Sequence, residues 1–386
     1  MKAEISRIPP GRPPWHRRNH RCEIALPRRT RHERTIMKDY TEYILTQTKK
    51  LLSIDSPTGY TKDVTDYLMK TYREMGYAPR LTTKGGVLVQ IAGGTSPEEK
   101  NPASGPILLM AHADTLGAMV SEITSEGHLK LTPLGGMNPN NAEAENCRIL
   151  TRDGRVYTGV FQLKNASIHV NREYDNTKRS YDEMEVLLDE LVSTKEEVKA
   201  LGIMTGDIVC FDPRTVVTPS GFIKSRFLDD KLSTAILLGY AKYLKEEKIS
   251  PDRRIYHHIT VFEEVGHGGC ASIPQDVTEV LSVDMGCVGK GLECMECQVS
   301  ICSKDAHGPY HYDVVSSLIA AARRTGLDYA VDVYPFYGSD ADAALTAGLD
   351  ARHGLIGPGV YASHGYERSH KKGVSNTFWL LRAYLG

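Results

Sequence analysis

The spacing of apolar positions changes several times along the chain, and these changes predict an order of helices and strands. Apolar residues three to four apart indicate helices that bury one face, whereas short continuous apolar runs indicate strands buried on both faces. Helices are predicted at about residues 38–53, 61–75, 231–248, 314–325 and 375–385, with one more after Gly268. Strands are predicted at residues 86–91, 106–111, 255–262 and 280–283. This alternation predicts an α/β fold, a mostly parallel sheet flanked by helices.

The middle of the chain has a different pattern. Residues 118–222 contain short β-like runs separated by glycine turns, and helical spacing is nearly absent apart from residues 194–201. We therefore predict a small β-rich domain inserted into one interrupted α/β domain, which consists of residues 37–117 and 223–386.

The first 36 residues are basic, whereas the rest of the chain is acidic. They hold ten Lys and Arg against three Asp and Glu, while the remainder holds 37 basic and 45 acidic residues. The segment has no apolar run and so does not read as a secretory signal. A transit peptide and a nucleic-acid-binding arm are open alternatives. The preferred interpretation is a disordered tail or a start assigned too early, because Met37 opens an amphipathic segment.

Apolar runs and cysteine usage bear on the compartment. No apolar stretch approaches 18 residues, so no membrane-spanning helix is expected. Eight cysteines without a secretion signal favour a reducing compartment, and we predict a cytoplasmic protein. Four of them cluster at Cys287, Cys294, Cys297 and Cys302, but their spacing matches no common zinc motif. Free thiols are therefore expected there rather than a structural metal.

Histidine and carboxylate residues follow three of the predicted strands directly. They are His112 and Asp114 after the first, Glu263 and Glu264 after the second, and Asp284 after the third. Ligands bind beyond the carboxyl ends of strands in open α/β sheets, so these side chains should lie close together. Paired carboxylates are costly to bury unless positive charge lies between them, and a divalent cation supplies it. The sequence therefore predicts a metal site at this edge.

Each motif also has a structural explanation when taken alone. Glu263-Glu264 could be a salt-bridged strand end, and Asp229-Asp230 could be acidic residues that favour a helix N-terminus. A His-x-Asp sequence is common, although its aspartate can orient the imidazole of a metal ligand. The metal interpretation is preferred because the motifs occur together and at the same strand edges.

In their order along the chain, the motifs resemble the dinuclear metallopeptidases, and among them metallopeptidase family forty-two. That family contains glutamyl and deblocking aminopeptidases and the tetrahedral dodecameric aminopeptidases. The matching segments are Ala111-His112-Ala113-Asp114, Leu228-Asp229-Asp230-Lys231, Phe262-Glu263-Glu264-Val265-Gly266 with Gly268-Gly269, Val283-Asp284, Gly338-Ser339-Asp340-Ala341 and Ser363-His364-Gly365. The resemblance covers about residues 37–386. The 114 residues between Asp114 and Asp229 lie where this family carries a β-rich domain used in subunit pairing, which implies a homo-oligomer.

The resemblance implies a dinuclear zinc-peptidase-like fold and an aminopeptidase that acts on short peptides. Two divalent ions are implied, zinc or cobalt, with manganese as a further candidate. By resemblance, Asp229 bridges the ions, His112 and Asp284 complete different metal positions, Glu264 and His364 complete the shell, Glu263 is the general base, and Asp114 raises the basicity of His112. His370 competes with His364 as the late ligand. His364 is preferred because it follows a short run, as the family ligand does.

The sequence also departs from the family pattern. Lys231 stands where arginine is usual, and residues 304–311 are unlike those of commoner members. These differences resemble a divergent branch associated with synthesis of a small osmoprotectant peptide, so the substrate is left open. A metal-dependent deacylase or dipeptidase acting on a small N-acyl or amide peptide is one alternative. A non-catalytic binding protein on the same fold is another, but a retained base at Glu263 argues against it.

Overall fold

The computed structural model of the protein describes residues 39–93 and 105–386, so the basic leader and Met37 lie outside the described residues. The elements in chain order are α1 (Thr41–Leu52), α2 (Lys62–Glu74), β1 (Arg80–Leu81), β2 (Val87–Ala92), β3 (Ile107–His112), β4 (Gly117–Ile123), β5 (Leu129–Leu134), β6 (Glu145–Leu150), β7 (Val156–Leu163), β8 (Met184–Leu188), α3 (Lys195–Ala200), β9 (Ile208–Phe211), β10 (Val216–Val217), β11 (Phe222–Ser225), α4 (Leu228–Glu246), β12 (Ile255–Thr260), β13 (Glu279–Val283), β14 (Gly286–Val288), β15 (Val299–Lys304), α5 (Tyr312–Thr325), β16 (Tyr329–Val333), α6 (Asp340–Thr346), β17 (Arg352–Tyr361), β18 (Glu367–His370) and α7 (Lys371–Leu385).

A mixed sheet of 12 strands forms the body of the protein. Its centre, β12-β3-β13-β17, is parallel, and β3 is buried at every position, as its apolar run predicts. The outer strands β1, β2, β18, β11 and β10 pair antiparallel, as does β15 with β17. The expected mostly parallel sheet is therefore not confirmed. Short connections explain the difference, because hairpins such as β1–β2 and β10–β11 join only antiparallel strands.

Six further strands, β4, β5, β8, β7, β6 and β9, close into a small barrel. The short helix α3 lies between two barrel strands, within residues 194–201, where the sequence shows helical spacing of apolar residues. Its strands run from Gly117 to Phe211. The hairpin formed by β10 and β11 belongs to the large sheet, so the barrel strands end before the predicted boundary at residue 222.

Among the differences from the sequence prediction, two arise where glycine is needed for close packing. The predicted helix after Gly268 is wrong, since residues 266–278 contain no helix. A Cβ atom on Gly268 or Gly269 would overlap Asp340. Strand β17 was not predicted, because its sequence is interrupted by three glycines and a proline. A Cβ on Gly357 of this strand would overlap the backbone of Asp284.

The larger hydrophobic core lies where α1, α4 and α7 pack together over the sheet. Helix α4 is apolar on nearly all sides and buried along most of its length. Gly239 of α4 lets α1 approach closely, since a Cβ atom there would overlap the side chain of Ile44. Tyr40 stacks on Phe378 with ring centroids 5.7 Å apart and joins α7 to the same core. Among the helices of the described residues, none has the length and apolar character needed to cross a membrane.

Candidate metal centre

His112 ends β3 and is almost completely buried, at 1% exposure. Its Nδ1 lies 2.9 Å from the backbone oxygen of Asp114. Because a carbonyl oxygen only accepts, Nδ1 carries the proton and Nε2 presents a lone pair. That Nε2 lies 3.0 Å from Oδ1 of Asp229 and 3.6 Å from Oε2 of Glu263. The lone pair of His112 therefore faces two carboxylates, an arrangement that suits a cation site.

Asp114 supports the neighbouring carboxylates. Its side chain is fully buried and accepts hydrogen bonds from the backbone N–H of Glu263 at 3.2 Å and of Glu264 at 3.3 Å. The hydroxyl of Thr58 donates a third bond at 2.7 Å. The imidazole of His112 is oriented by the backbone oxygen of Asp114, since the carboxylate is 3.6 Å from Nδ1. Asp114 thus fixes the turn that carries Glu263 and Glu264.

Asp229 lies between two histidines. Its Oδ1 faces His112, and its Oδ2 lies 3.6 Å from Nε2 of His364. The same Nε2 of His364 is 3.6 Å from Oε2 of Glu264. The two carboxylate oxygens of Asp229 therefore face different histidines, a geometry that suits a bridging ligand.

Asp284 and Asp230 complete the cluster. One ligand atom each from His112, Asp230 and Asp284 lies within 4.8 Å of the others, and the same holds for His112, Asp229 and Glu264. Asp230 is not among the ligands expected from the sequence, although it is adjacent to the expected ligand Asp229. Within the described part of the chain, Oδ1 of Asp230 and Oε1 of Glu264 are buried without a hydrogen-bond partner. Orphaned buried carboxylate oxygens fit a cation that bonds to them.

The electrostatics of the cluster point the same way. Burial raises the pKa of Glu263 and of Glu264 well above the usual carboxyl range, and neighbouring carboxylates such as Asp229 add to this. Burial and Asp229 raise the pKa of Asp284 to about 7. Burial lowers the pKa of His112, but Glu263 and Asp229 outweigh it and the net shift is upward. Among the described residues, no lysine or arginine forms an ion pair with these carboxylates. A divalent cation supplies the missing positive charge.

The structure separates the two late histidines. His364 faces Asp229 and Glu264, as described above. His370 precedes α7, where its Nδ1 accepts the N–H of Lys372 at 3.0 Å and its Nε2 lies 3.0 Å from the backbone oxygen of Ser220. Both of its ring nitrogens are occupied by backbone groups, so only His364 joins the cluster.

Two other clusters do not form comparable centres. Asp305, His307 and Asp342 also come within 4.8 Å of one another. However, Asp305 accepts backbone N–H groups in a turn, and Asp342 forms the capping box of α6 with Ser339. The seven cysteines of the described residues are free thiols, and none takes part in a candidate metal group there.

A shallow surface depression adjoins the His364 side of the cluster. Its wall combines the metal-type residues with apolar side chains. The apolar members are Leu116, Met137 and Phe227. The barrel contributes Met137 and the preceding glycines, and a Cβ atom on Gly136 would lie 2.6 Å from Nδ1 of His364. The barrel thus forms part of the wall next to the candidate metal centre.

Comparison with known proteins identifies the family. The model of the M42 glutamyl aminopeptidase family matches residues 93–380, about three quarters of the chain. The chain belongs to metallopeptidase family forty-two. It is therefore a peptidase, and its enzyme class is that of a metal-dependent aminopeptidase.

Several family members show how similar the chain is to known proteins. YhfE of Bacillus subtilis, named as a candidate aminopeptidase, is 43% identical over 337 residues, which cover 87% of this chain and 95% of YhfE. The glutamyl aminopeptidase of Lactococcus lactis is 28% identical over 57% of this chain and 60% of its own length. The TET1 peptidase of Pyrococcus horikoshii shares the fold, with a TM-score of 0.76 at 20% identity over 89% of this chain and 99% of that one.

Proposed function

We propose that this family forty-two enzyme holds two divalent ions, zinc or cobalt, and removes N-terminal residues from short peptides. The observation that carries the proposal is the position of Asp229, whose two oxygens face His112 and His364 separately. In this assignment Asp229 bridges the ions, and Glu264 and His364 belong to one of them. His112 and Asp284 are assigned to the other; Asp284 shares a candidate group with His112 but not with Glu264, whereas His112 lies within 4.8 Å of both. This grouping is preferred to the sequence-based expectation that His112 and Asp284 serve different positions.

Glu263 is the proposed general base. When bound, two divalent ions lower the pKa of water and stabilise negative charge on the scissile carbonyl oxygen. Oε2 of Glu263 lies 3.6 Å from Nε2 of His112, so the carboxylate faces the centre, but it belongs to neither candidate metal group that contains His112. From there it accepts the proton of the attacking water and transfers it to the leaving amine as the C–N bond breaks. Asp114 keeps the backbone of Glu263 in place for both transfers.

The substrate class follows from the family. An aminopeptidase acts on a free N-terminus, whereas a deacylase requires an acylated one. We therefore prefer short peptides with a free N-terminus over N-acyl substrates.

Glu263→Gln tests this proposal. We expect the variant to keep its metal content and to lose about 10²- to 10⁴-fold in kcat, the usual contribution of a positioned base. The measurement combines metal analysis with turnover of free and N-acetylated peptides after zinc or cobalt loading. Glu185→Gln, a change at a buried glutamate in the barrel, is the matched control and should retain activity.

The outcomes separate the parts of the proposal. Retained turnover in Glu263→Gln would remove this residue from its role. Cleavage of acetylated peptides but not of free ones would favour the deacylase alternative. Fewer than two ions per chain in the active wild type would refute the dinuclear assignment.

The assembly is a further part of the proposal. The TET1 peptidase of Pyrococcus horikoshii can assemble into a tetrahedron or a large octahedral shell, and a second solved structure, of PhTET1-12s, contains a dodecamer. We propose that this chain also forms a homo-oligomer and that the barrel between Gly117 and Phe211 pairs the subunits. A cytoplasmic location and the absence of nucleic-acid binding by the leader stay predictions from the sequence.

A further inference from the structure

Glu367 connects the backbones of two candidate ligands. It begins β18, three residues after His364, and is 1% exposed. Its Oε1 accepts the backbone N–H of His364 at 3.0 Å, and its Oε2 accepts the backbone N–H of Asp229 at 3.1 Å. One carboxylate therefore joins two segments that lie 138 residues apart in sequence.

Both amides belong to irregular backbone. His364 has a φ of +60°, in the left-handed region that is unfavourable for a non-glycine residue. Asp229 has a ψ of 105° within the first turn of α4, outside helical geometry. Neither amide can join a regular helix or strand ladder in these conformations. A buried N–H without an acceptor is costly, so each needs a partner from elsewhere in the chain. Glu367 supplies both.

Stability alone does not explain a carboxylate at this position. No lysine or arginine forms an ion pair with Glu367 in the described residues, and the carboxylate of Asp229 is nearby. A buried negative charge beside another one is unfavourable without a compensating cation. Two N–H donors offset part of that cost, and bound divalent ions would offset the rest. A glutamate here is therefore better suited to a metal-loaded site than to a purely structural contact.

We propose that Glu367 is a positioning residue that sets the separation of Asp229 and His364 and so determines how tightly the second ion, beside His364, is held. This inference rests on the proposed dinuclear site. Glu367 belongs to none of the candidate metal groups, and both of its oxygens accept backbone N–H groups. Its effect is transmitted through the two ligand backbones.

Two substitutions distinguish position from charge. Glu367→Gln keeps the length of the side chain but loses the charge and one acceptor. Glu367→Asp keeps the charge but is one methylene too short to reach both amides. Zinc affinity is measured for each by competition with a chromophoric chelator. We expect both variants to bind the weaker ion about 10- to 100-fold less tightly, the usual effect of losing a residue that orients metal ligands.

Glu279→Gln is the matched control. Glu279 is another buried glutamate, 2% exposed, but it starts β13 and forms ion pairs with Arg253 and Arg352. The control should lower the melting temperature without changing zinc affinity. An equal loss of affinity in the control would overturn the proposal, because general destabilisation would then account for the effect.

The remaining outcomes are decisive as well. Wild-type affinity in Glu367→Gln would overturn the proposal. Wild-type affinity in Glu367→Asp would show that charge matters and position does not, which also overturns it. A wild-type protein that binds no zinc would instead refute the dinuclear site itself, so the two failures can be told apart.

Discussion

At the scale of single residues, Asp114 shows how a motif can be recognised while its contact is misassigned. The sequence predicts that Asp114 supports His112, and its backbone oxygen does accept from Nδ1 at 2.9 Å. Its carboxylate, however, binds the N–H groups of Glu263 and Glu264. The carboxylate therefore acts on the neighbouring strand end, β12, which the sequence places about 150 residues away.

Two buried histidines in β12 make folding stability depend on pH. Burial lowers the pKa of His257 and of His258 to about 3. The unfolded chain binds these protons near pH 6.5, so between pH 6.5 and 3 it holds more protons than the native state. Each histidine therefore costs about 1.4 kcal/mol of stability for every pH unit below 6.5. We expect His257→Gln to remove one such contribution, measured as the change in unfolding free energy between pH 7.5 and 5.5.

The control for this prediction is His169→Gln, because His169 is exposed and its loss should leave the pH dependence unchanged. Gln can still accept from the hydroxyl of Tyr72, which lies 2.9 Å from Nδ1 of His257. An unchanged slope in His257→Gln would show that this histidine is not held neutral in the native protein.

At the scale of elements, the first turn of helix α4 contains the candidate ligand Asp229. Further along the helix, Gly239 allows close packing against α1. Gly239 lies near the middle of α4, beside Ile44. The position of the helix along its axis therefore depends on a contact several turns from the ligand. Close packing of α1 and α4 therefore positions the regular part of α4, which follows directly after the irregular turn at Asp229 and Asp230.

Gly239→Ala measures this contact. Alanine favours a helix by about 1 kcal/mol over glycine, but overpacking a core usually costs about 1–3 kcal/mol. Because the new Cβ would overlap Ile44, we expect net destabilisation of about 1–2 kcal/mol in urea unfolding. In an Ile44→Ala background the overlap disappears, and the same change should become neutral or stabilising. Equal effects in both backgrounds would contradict the packing argument.

At the scale of the whole molecule, the barrel and the sheet meet next to the candidate site. Arg226, which precedes α4, forms a buried ion pair with Glu145 of β6 and also donates to the backbone oxygen of Asn141. The side chain of Asn141 in turn donates to the backbone oxygen of His364 at 3.1 Å. The barrel is thus joined to the backbone of a candidate metal ligand, and contacts made by the barrel with another subunit would act close to the site.

The proposed subunit contact can be tested on exposed apolar residues of the barrel. Ile168 and Val170 are 56% and 74% exposed in the connection between β7 and β8. We expect the Ile168→Asp/Val170→Asp variant to form smaller species than the wild type in light scattering, with unchanged circular dichroism. The control replaces Tyr312 and Phe336, exposed apolar residues of the α/β body, with Asp. A monomeric wild type, or a control that dissociates equally, would contradict pairing through the barrel.

The sequence by itself determined the residue types of the candidate site and their places at strand ends. His112, Glu263 and Asp284 follow apolar runs that are local in sequence, and such runs form strands in the structure. Most predicted helices were found as well, because a helix depends on contacts within one stretch of chain. The local spacing of apolar residues is sufficient to predict helices and strands whose apolar pattern is not interrupted.

The tertiary structure decided those features of the fold and the site that depend on contacts between segments distant in sequence. Strand β17 was not predicted because its glycines serve the close approach of Asp284 and α5 rather than local strand preference. Whether outer strands pair parallel or antiparallel depends on which segments meet in the fold. The spacing of apolar residues along the sequence does not contain this information. Asp230 and Glu367 entered the site for the same reason. A carboxylate acquires its role from the backbone amides and ligands that folding brings to it, and these come from parts of the chain more than 100 residues away.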